Sequence, residues 1–381
     1  MFRGPISKYR VIVAPNSMKG TLDTFSFAGI VKQAFHDVSS CFDVVCVPVA
    51  DGGDFTGEVL LDVLNLQRRE VRVHDPLGRL IKAGYGIKES LAVIGMADAS
   101  GMKLLSAAEL DPMKTSSLGT GELLEYAINK GAHEILIGVG GSATVDGGMG
   151  LLAGLGMTFY DKDGKKLTAC GGAAGKIASW DDSALDPFKR VKIRVICDVL
   201  NPLSGKHGAV YVFAGQKGAT PEMLPVLEQN LAHFAGLVEK KTGRSLSGVP
   251  GMGAAGGVNL ALAGFLNAEI VPGADFILDY TGFGRLLGNA SLVITGEGKI
   301  DGQTACNKAP FAVFRRAREK GIPVFAIGGQ VTEEGARIFD RTYALAVDET
   351  GIKDAFSRTR ELVYERAVLA AKDFLSGYGS M

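Results

Sequence analysis

Five loops carry the side chains best placed for chemistry, and each closes a run of β-branched residues: 16–20 (NSMKG), 51–54 (DGGD), 138–150 (GVGGSATVDGGMG), 197–205 (CDVLNPLSG) and 296–308 (GEGKIDGQTACNK). All five are rich in glycine or small polar residues, and most add one or two carboxylates and an occasional lysine. Glycine lets backbone amides approach an anion closely, while carboxylates hold a hard cation or take up a proton. Phosphoryl transfer asks for this combination: positive charge, a magnesium site, an oriented acceptor and one base. Lys19, Lys217, Lys299 and Lys308 are the loop lysines suited to phosphate. Asp51, Asp54, Asp146, Asp198, Glu297 and Asp301 are the acids suited to magnesium or to proton transfer.

Each feature also has a plainer reading. Gly140–Gly141 suits a tight turn, Asp146 suits the cap of the helix that follows it, and Lys19 suits a solvated turn. Repetition favours function, because Asp-Gly-Gly occurs at 51–53 and again at 146–148, both times between a β run and a helical one. The Walker A pattern is missing; residues 302–309 (GQTACNKA) come nearest, with Asn307 in place of glycine and Ala309 in place of the hydroxyl. Residues 138–143 (GVGGSA) fit the dinucleotide pattern GxGxx[GA], and Asp161 follows at a tolerable distance, which keeps a NAD-dependent hydroxy-acid dehydrogenase open. Asp161 also stands in a DKDG turn, where Asp is favoured for local reasons. The histidines at 36, 74, 133, 207 and 233 have no HxxxH or HxH spacing, and Ser142 lacks a GxSxG frame. A non-catalytic anion sensor is disfavoured, since so many acids would oppose the bound charge.

The elements that must position these loops read as a repeating strand, loop and helix. Strand-like runs cover 10–15, 43–50, 134–139, 192–197, 292–296 and 323–328, and apolar residues from Phe27 to Val38 recur at helical spacing behind an Asp23 or Thr24 cap. That alternation predicts a parallel sheet. Between about 68 and 285 the texture changes, with two strands around DPLGR and a hairpin at 157–167 around DKDG. We therefore expect an α/β domain made of 1–67 and 286–381, interrupted by a mixed α/β domain at 68–285. Residues 115–150 carry a strand and helix signal of their own, so packing back onto the first sheet stays open for them. Residues 356–375 read as a closing helix with one apolar face.

Bulk properties bound the partners. A chain of 381 residues exceeds one ordinary core, and 41 basic against 41 acidic residues leave no net field for nucleic acid or an anionic membrane. Five cysteines, at 41, 46, 170, 197 and 306, form no CxxC pair, as expected of a reduced cytoplasmic protein. The amino terminus has no signal-like apolar segment, and no run approaches the roughly 18 apolar residues of a membrane span.

Taken in order, APNSMKG, PVADGGD, DPLGR, SSLGTGELL, GVGGSATVDGG, CDVLNPLSG, GQKGATPEM, PGMGAAGG, ITGEGKIDGQT and NKAP resemble the bacterial-type glycerate kinase family from about residue 10 to residue 350. The resemblance implies ATP-dependent phosphorylation of a hydroxyl of D-glycerate, most often giving 2-phosphoglycerate. It also implies two α/β domains, one with a flavodoxin-like or Rossmann-like parallel sheet interrupted by the other, with the active site in the cleft. Within that pattern GGSAT belongs to a kinase and not to a dehydrogenase. Kinases of another small hydroxy acid share the same parts. On this footing Asp198, followed by Asn201, is the first choice of base, with Asp146 second and Lys19 beside the phosphate. Asp51, Gly52, Gly53, Gly140, Gly141, Ser142, Gly147, Gly148, Asn201, Lys217 and Lys308 would bind substrate or phosphate. Glu297 and Asp301 would hold Mg2+ with ATP. The chain departs from the family pattern at Val145, where Asn is usual beside the acid, and at Asn307, where Gly precedes the lysine. The product isomer and the oligomeric state, a homodimer being one arrangement, stay open.

Overall fold

The computed structural model describes residues 9–18, 20–50, 56–305, 308–346 and 356–377. The chain forms two compact units, one built from Met1–Asp51 with Pro272–Met381 and the other from Gly52–Val271. Helix Thr56–Val63 therefore belongs to the second unit, and helices Gly273–Tyr280 and Phe283–Leu286 to the first. The boundary expected at 67 places Thr56–Val63 in the first domain, and that at 286 places Gly273–Tyr280 in the second and cuts through Phe283–Leu286.

In chain order the first unit contributes strands β1 (Tyr9–Val13) and β2 (Phe42–Cys46). The second contributes β3 (Gln67–His74), β4 (Leu80–Lys88), β5 (Leu91–Gly95), β6 (Glu134–Gly138), β7 (Thr158–Tyr160), β8 (Ser179–Asp181), β9 (Lys192–Ile196) and β10 (Glu269–Val271). The chain then returns to the first unit for β11 (Leu292–Ile300), β12 (Val324–Val331) and β13 (Arg341–Ala344).

The first sheet has the order β13-β12-β11-β1-β2, with every pair parallel. Counted within the unit, that is 2-1-3-4-5, the doubly wound flavodoxin-like order, and the winding reverses between β1 and β11. Both faces are covered. Phe27, Val31 and Phe35 of helix Thr24–Val38 pack with Val363, Ala367 and Phe374 of the closing helix Thr359–Gly377 on one side. On the other, Ile12, Val293 and Val324 meet Phe283 and Val313. Asp23 caps the first helix by accepting from Ser26 N at 2.8 Å, which supplies one of the helix's unpaired amides with a partner. The loop after β1 is tied down by Thr24 Oγ1 donating to Pro15 O (2.6 Å) and Thr295 Oγ1 donating to Ala14 O (2.9 Å). β11 and β12 stay paired through Glu297↔Gly328, Lys299↔Gln330 and Ile300↔Val331, beyond the point where β1 and β2 end.

The second unit holds a six-stranded sheet of order β10-β9-β6-β5-β4-β3, antiparallel across β3, β4 and β5 and parallel elsewhere. β6 lies between β5 and β9, so residues 115–150 build the second sheet and not the first. The DPLGR turn joins β3 to β4 as expected, with Asp75 Oδ1 accepting from Leu77 N and Arg79 N, both at 2.9 Å. The DKDG turn closes a short hairpin as expected, with the antiparallel bridge Tyr160↔Lys166 flanked by Asp161 N donating to Lys165 O (3.0 Å) and Leu167 N donating to Phe159 O (2.9 Å). β7 also pairs with β8, whose Trp180 packs edge-on against Phe265 at 5.6 Å. At the carboxyl edge of this sheet Gly95, Gly138, Ile196 and Val271 stand in line. Among the described residues no helix is long and apolar enough to cross a membrane.

Candidate active site

In the second unit β6 ends at Gly138 and releases the glycine-rich loop onto the carboxyl edge of the sheet. The loop is fastened from several sides. Met102 N donates to Gly141 O and Ala143 N to Ser100 O, each at 2.9 Å, while Thr115 Oγ1 donates to Ala143 O at 2.9 Å. Lys217 reaches it from below, with Nζ donating to Ser142 Oγ and to Thr144 O, both at 2.8 Å. Only 2% of Lys217 is exposed. Burial pulls its pKa down to about 7, against the opposing pull of the nearby Asp146 carboxylate.

Asp146 is fully buried. Its Oδ2 accepts from Ser117 N (2.9 Å), Ser117 Oγ (2.8 Å) and Gly150 N (3.1 Å), and its Oδ1 from Gly148 N (3.0 Å). Two of those donors are amides at the start of helix Met149–Gly154, so the acid acts as an anchor between that helix and Ser117. Gly147 and Gly148 are equally engaged. Gly147 N donates to Gly256 O at 3.0 Å, and a Cβ on Gly148 would stand 2.5 Å from that of Ala261, at a φ of +81°. These two glycines shape the loop and let helices pack on it. Gly140 and Gly141 differ, since both are half-buried and their amides donate to no group among the described residues.

β9 runs beside β6, with Ile196 paired to Gly138, so residues 197–205 leave the sheet next to the glycine loop. Asp198 follows the buried Cys197 and is itself half-buried. Asn201 is committed to its own loop, donating from Nδ2 to His207 O at 2.8 Å.

In the first unit the crevice between β1 and β11 is where the winding reverses, the usual ligand position in open α/β sheets. Asn16 N donates to Gly296 O at 2.8 Å, which draws the loop after β1 along β11. Glu297 comes next and is 6% exposed. Its Oε1 accepts from the buried Thr304 Oγ1 at 2.7 Å, and its Oε2 lies 3.5 Å from Lys308 Nζ. Asp301 Oδ1 accepts from Gln303 N at 3.0 Å, and its Oδ2 lies 3.3 Å from Lys299 Nζ. Lys308 stands at the N-cap of helix Ala309–Arg318.

The expected residues thus fall into two groups. Gly140, Gly141, Ser142, Asp146, Gly147, Gly148 and Lys217 share one loop and its support in the second unit, with Asp198 and Asn201 on the neighbouring strand end. Glu297, Asp301 and Lys308 share a strand end in the first. Lys19, Asp51, Gly52, Gly53 and Asp54 lie outside the described residues. Three contributors escaped the sequence reading: Ser117, which serves Asp146 from far along the chain; Thr304, which orients Glu297; and Gly256, which receives Gly147. Their signal was membership in SSLGTGELL, ITGEGKIDGQT and PGMGAAGG. Val145 is 1% exposed and belongs to the unit's core, so its departure from Asn is a change of packing under the loop. Asp161, the acid that kept a dehydrogenase open, spends its Oδ1 on Asp163 N (3.0 Å) and Lys165 N (2.9 Å) in its own turn.

Comparison with known proteins agrees with the kinase pattern. The model of the glycerate kinase family matches residues 11–374. A glycerate kinase of Bacillus subtilis is 38% identical over 94% of this chain and 96% of its own length. The glycerate 2-kinase of Escherichia coli is 39% identical over 85% of this chain and 86% of its own. A crystal structure from Salmonella typhimurium LT2 matches with a TM-score of 0.82 at 36% identity, covering 97% of this chain and 99% of that one. With the family's pattern running through both sheets and their loops, the chain belongs to the glycerate kinase family and is a kinase.

Proposed function

We propose that this kinase transfers the γ-phosphoryl group of ATP to a hydroxyl of D-glycerate, giving 2-phosphoglycerate. The observation that carries the reading is the Gly140–Gly141 pair, whose unengaged amides stand at a strand end beside that of Asp198. Amides so placed suit a small anion, and a carboxylate next to them suits removal of a hydroxyl proton. The names of the relatives support glycerate as acceptor, and the glycerate 2-kinase name supports the 2-hydroxyl.

Asp198 takes the proton of the attacking hydroxyl. The acceptor's hydroxyl oxygen bonds to the γ-phosphorus as the bond to the β,γ-bridging oxygen breaks, and ADP departs. Gly140, Gly141 and Ser142 bind the acceptor, with Lys217 holding Ser142 in place. Lys308 offsets phosphate charge; Lys19, Asp51, Gly52 and Gly53 lie outside the described residues and keep only the phosphate-binding roles their sequence suggests. Asp146, Gly147 and Gly148 keep the loop in shape.

Glu297 and Asp301 present oxygen donors only, which fits Mg2+, a cation that takes one or two carboxylates and completes its shell with phosphate oxygens and water. Among the described residues no three His, Cys, Asp or Glu side chains gather into a metal cluster. When bound, the ion neutralises phosphate charge. Among the described residues Cys41, Cys46, Cys170 and Cys197 are in no disulfide, which supports a reducing, cytoplasmic setting.

The test is ADP release from Mg-ATP by the purified protein with and without D-glycerate, followed by identification of the product. Glycerate-dependent release with phosphate at position 2 is expected. Release that glycerate does not stimulate, or stimulation only by another hydroxy acid, overturns the assignment.

A further inference from the structure

The carboxyl edge of the first sheet holds a cavity of about 290 Å³ that the roles assigned above leave unused. Met18, Leu345, Ala346 and Phe356 supply apolar walls, and Lys299 and Gln330 supply the main polar groups. Its floor is backbone. β11 and β12 approach each other so closely at Gly298 and Gly329 that a Cβ on Gly329 would collide with the Gly298 carbonyl. A floor without side chains between apolar walls suits a flat ring.

The occupant follows from chemistry and position. The residues come from the ends of β1, β11, β12 and β13 and from Phe356 and Thr359 at the entry to the closing helix, beside the reversal between β1 and β11, where open α/β sheets take their ligands. Glycerate, small and polar throughout, has no use for such walls. Glu297 immediately precedes Gly298, and Asp301 lies two residues after Lys299, so the carboxylates assigned to magnesium border the cavity in the chain. The Gln330 amide makes no hydrogen bond among the described residues and retains both donor and acceptor capacity toward a ring edge. We propose that this cavity seats the adenine base and ribose of the phosphoryl donor, over the Gly298–Gly329 floor with Gln330 at the base edge. The proposal rests on the reading of the chain as an ATP-dependent kinase.

Calorimetric titration of the full chain with adenosine, ADP and inorganic tripolyphosphate tests it. Adenosine is expected to bind and to compete with ADP but not with tripolyphosphate. Thr21 lines the cavity, and Thr21→Trp fills it, so adenosine and ADP should weaken by about tenfold or more while tripolyphosphate changes by less than about twofold. Gln330→Ala, a truncation at a partly exposed strand position, should weaken adenosine several-fold and serves if the tryptophan variant fails to fold. The proposal is overturned if adenosine does not bind, or if both variants bind adenosine and ADP as the unaltered chain does. A chain that binds adenosine in a Thr21→Trp-sensitive way, yet releases no ADP with D-glycerate, leaves the cavity assigned and removes the function reading. A chain that turns over while neither variant affects nucleoside binding removes the cavity and leaves the kinase.

Discussion

Replacing Lys217 by Met should change how the stability of the second unit depends on pH. The ammonium is buried, and its pKa is drawn from the ordinary 10.5 to about 7, chiefly by desolvation. A lysine that binds its proton less tightly in the folded chain leaves the unfolded chain with more protons between those two values, so stability climbs as pH rises through that window. With the two pKa values 10.5 and about 7, the group costs ~4 kcal/mol at pH 7 and ~2 kcal/mol at pH 9, and the cost vanishes above the higher pKa. Met removes that pH-dependent cost. It also leaves Ser142 Oγ and Thr144 O without their donor, a loss of about 1–3 kcal/mol each that does not vary with pH. The variant should therefore stand near the parent at pH 7 and fall behind it by a further ~2 kcal/mol at pH 9. Trp180 is the chain's one tryptophan, lies in the same unit as Lys217 and packs on Phe265. Urea unfolding followed by its fluorescence at pH 7, 8 and 9 reads the difference directly, because all other titrating groups are common to both proteins. A gap between variant and parent that stays constant over this range would refute the argument and show that Lys217 keeps its charge throughout.

Three further outcomes are expected. Asp146→Asn turns an acceptor of four donors into an amide that faces some of them with its own N–H groups, so the Trp180 transition should show a loss of about 2–4 kcal/mol; unchanged stability with abolished turnover would return Asp146 to the chemistry. Asp198→Asn should lower kcat by about 100-fold or more with little change in the KM for ATP; near-normal turnover removes it as the base. Glu297→Gln and Lys308→Met, which dismantle one contact seen at 3.5 Å, should each raise the KM for Mg-ATP by about tenfold. An equal rise in the KM for glycerate would refute their assignment to the nucleotide.

Sequence and structure agree where the signal is local. β1, β6, β9, β11 and β12 each contain Val, Ile or Leu residues that the structure buries, and each expected run overlaps a strand. Asp23, one of two candidate caps, carries the cap bond, and DPLGR turns as its residues demand. The second neighbour of β7, strand β8, was not legible, since its place depends on Trp180 finding Phe265 across a long stretch of chain. Neither were the fates of Lys217 and Asp146. A charged residue in a glycine loop reads as solvent-facing or ligand-facing, and only the arrival of Ser117, Ser142 and Thr144 from elsewhere makes a buried place for it.

The same distinction explains why six glycines in residues 137–150 do not all serve one purpose. Gly147 and Gly148 are bare because helices press on them and their amides already have acceptors. Gly140 and Gly141 are bare with their amides unspent among the described residues, one of them at a φ of +71°. An anion site needs the second kind, and the second kind holds its position only because the first kind, with Asp146 and Lys217, fixes the loop beneath it. Composition alone therefore marks the loop as a candidate site, while the division of labour inside it follows from packing by residues distant in the chain.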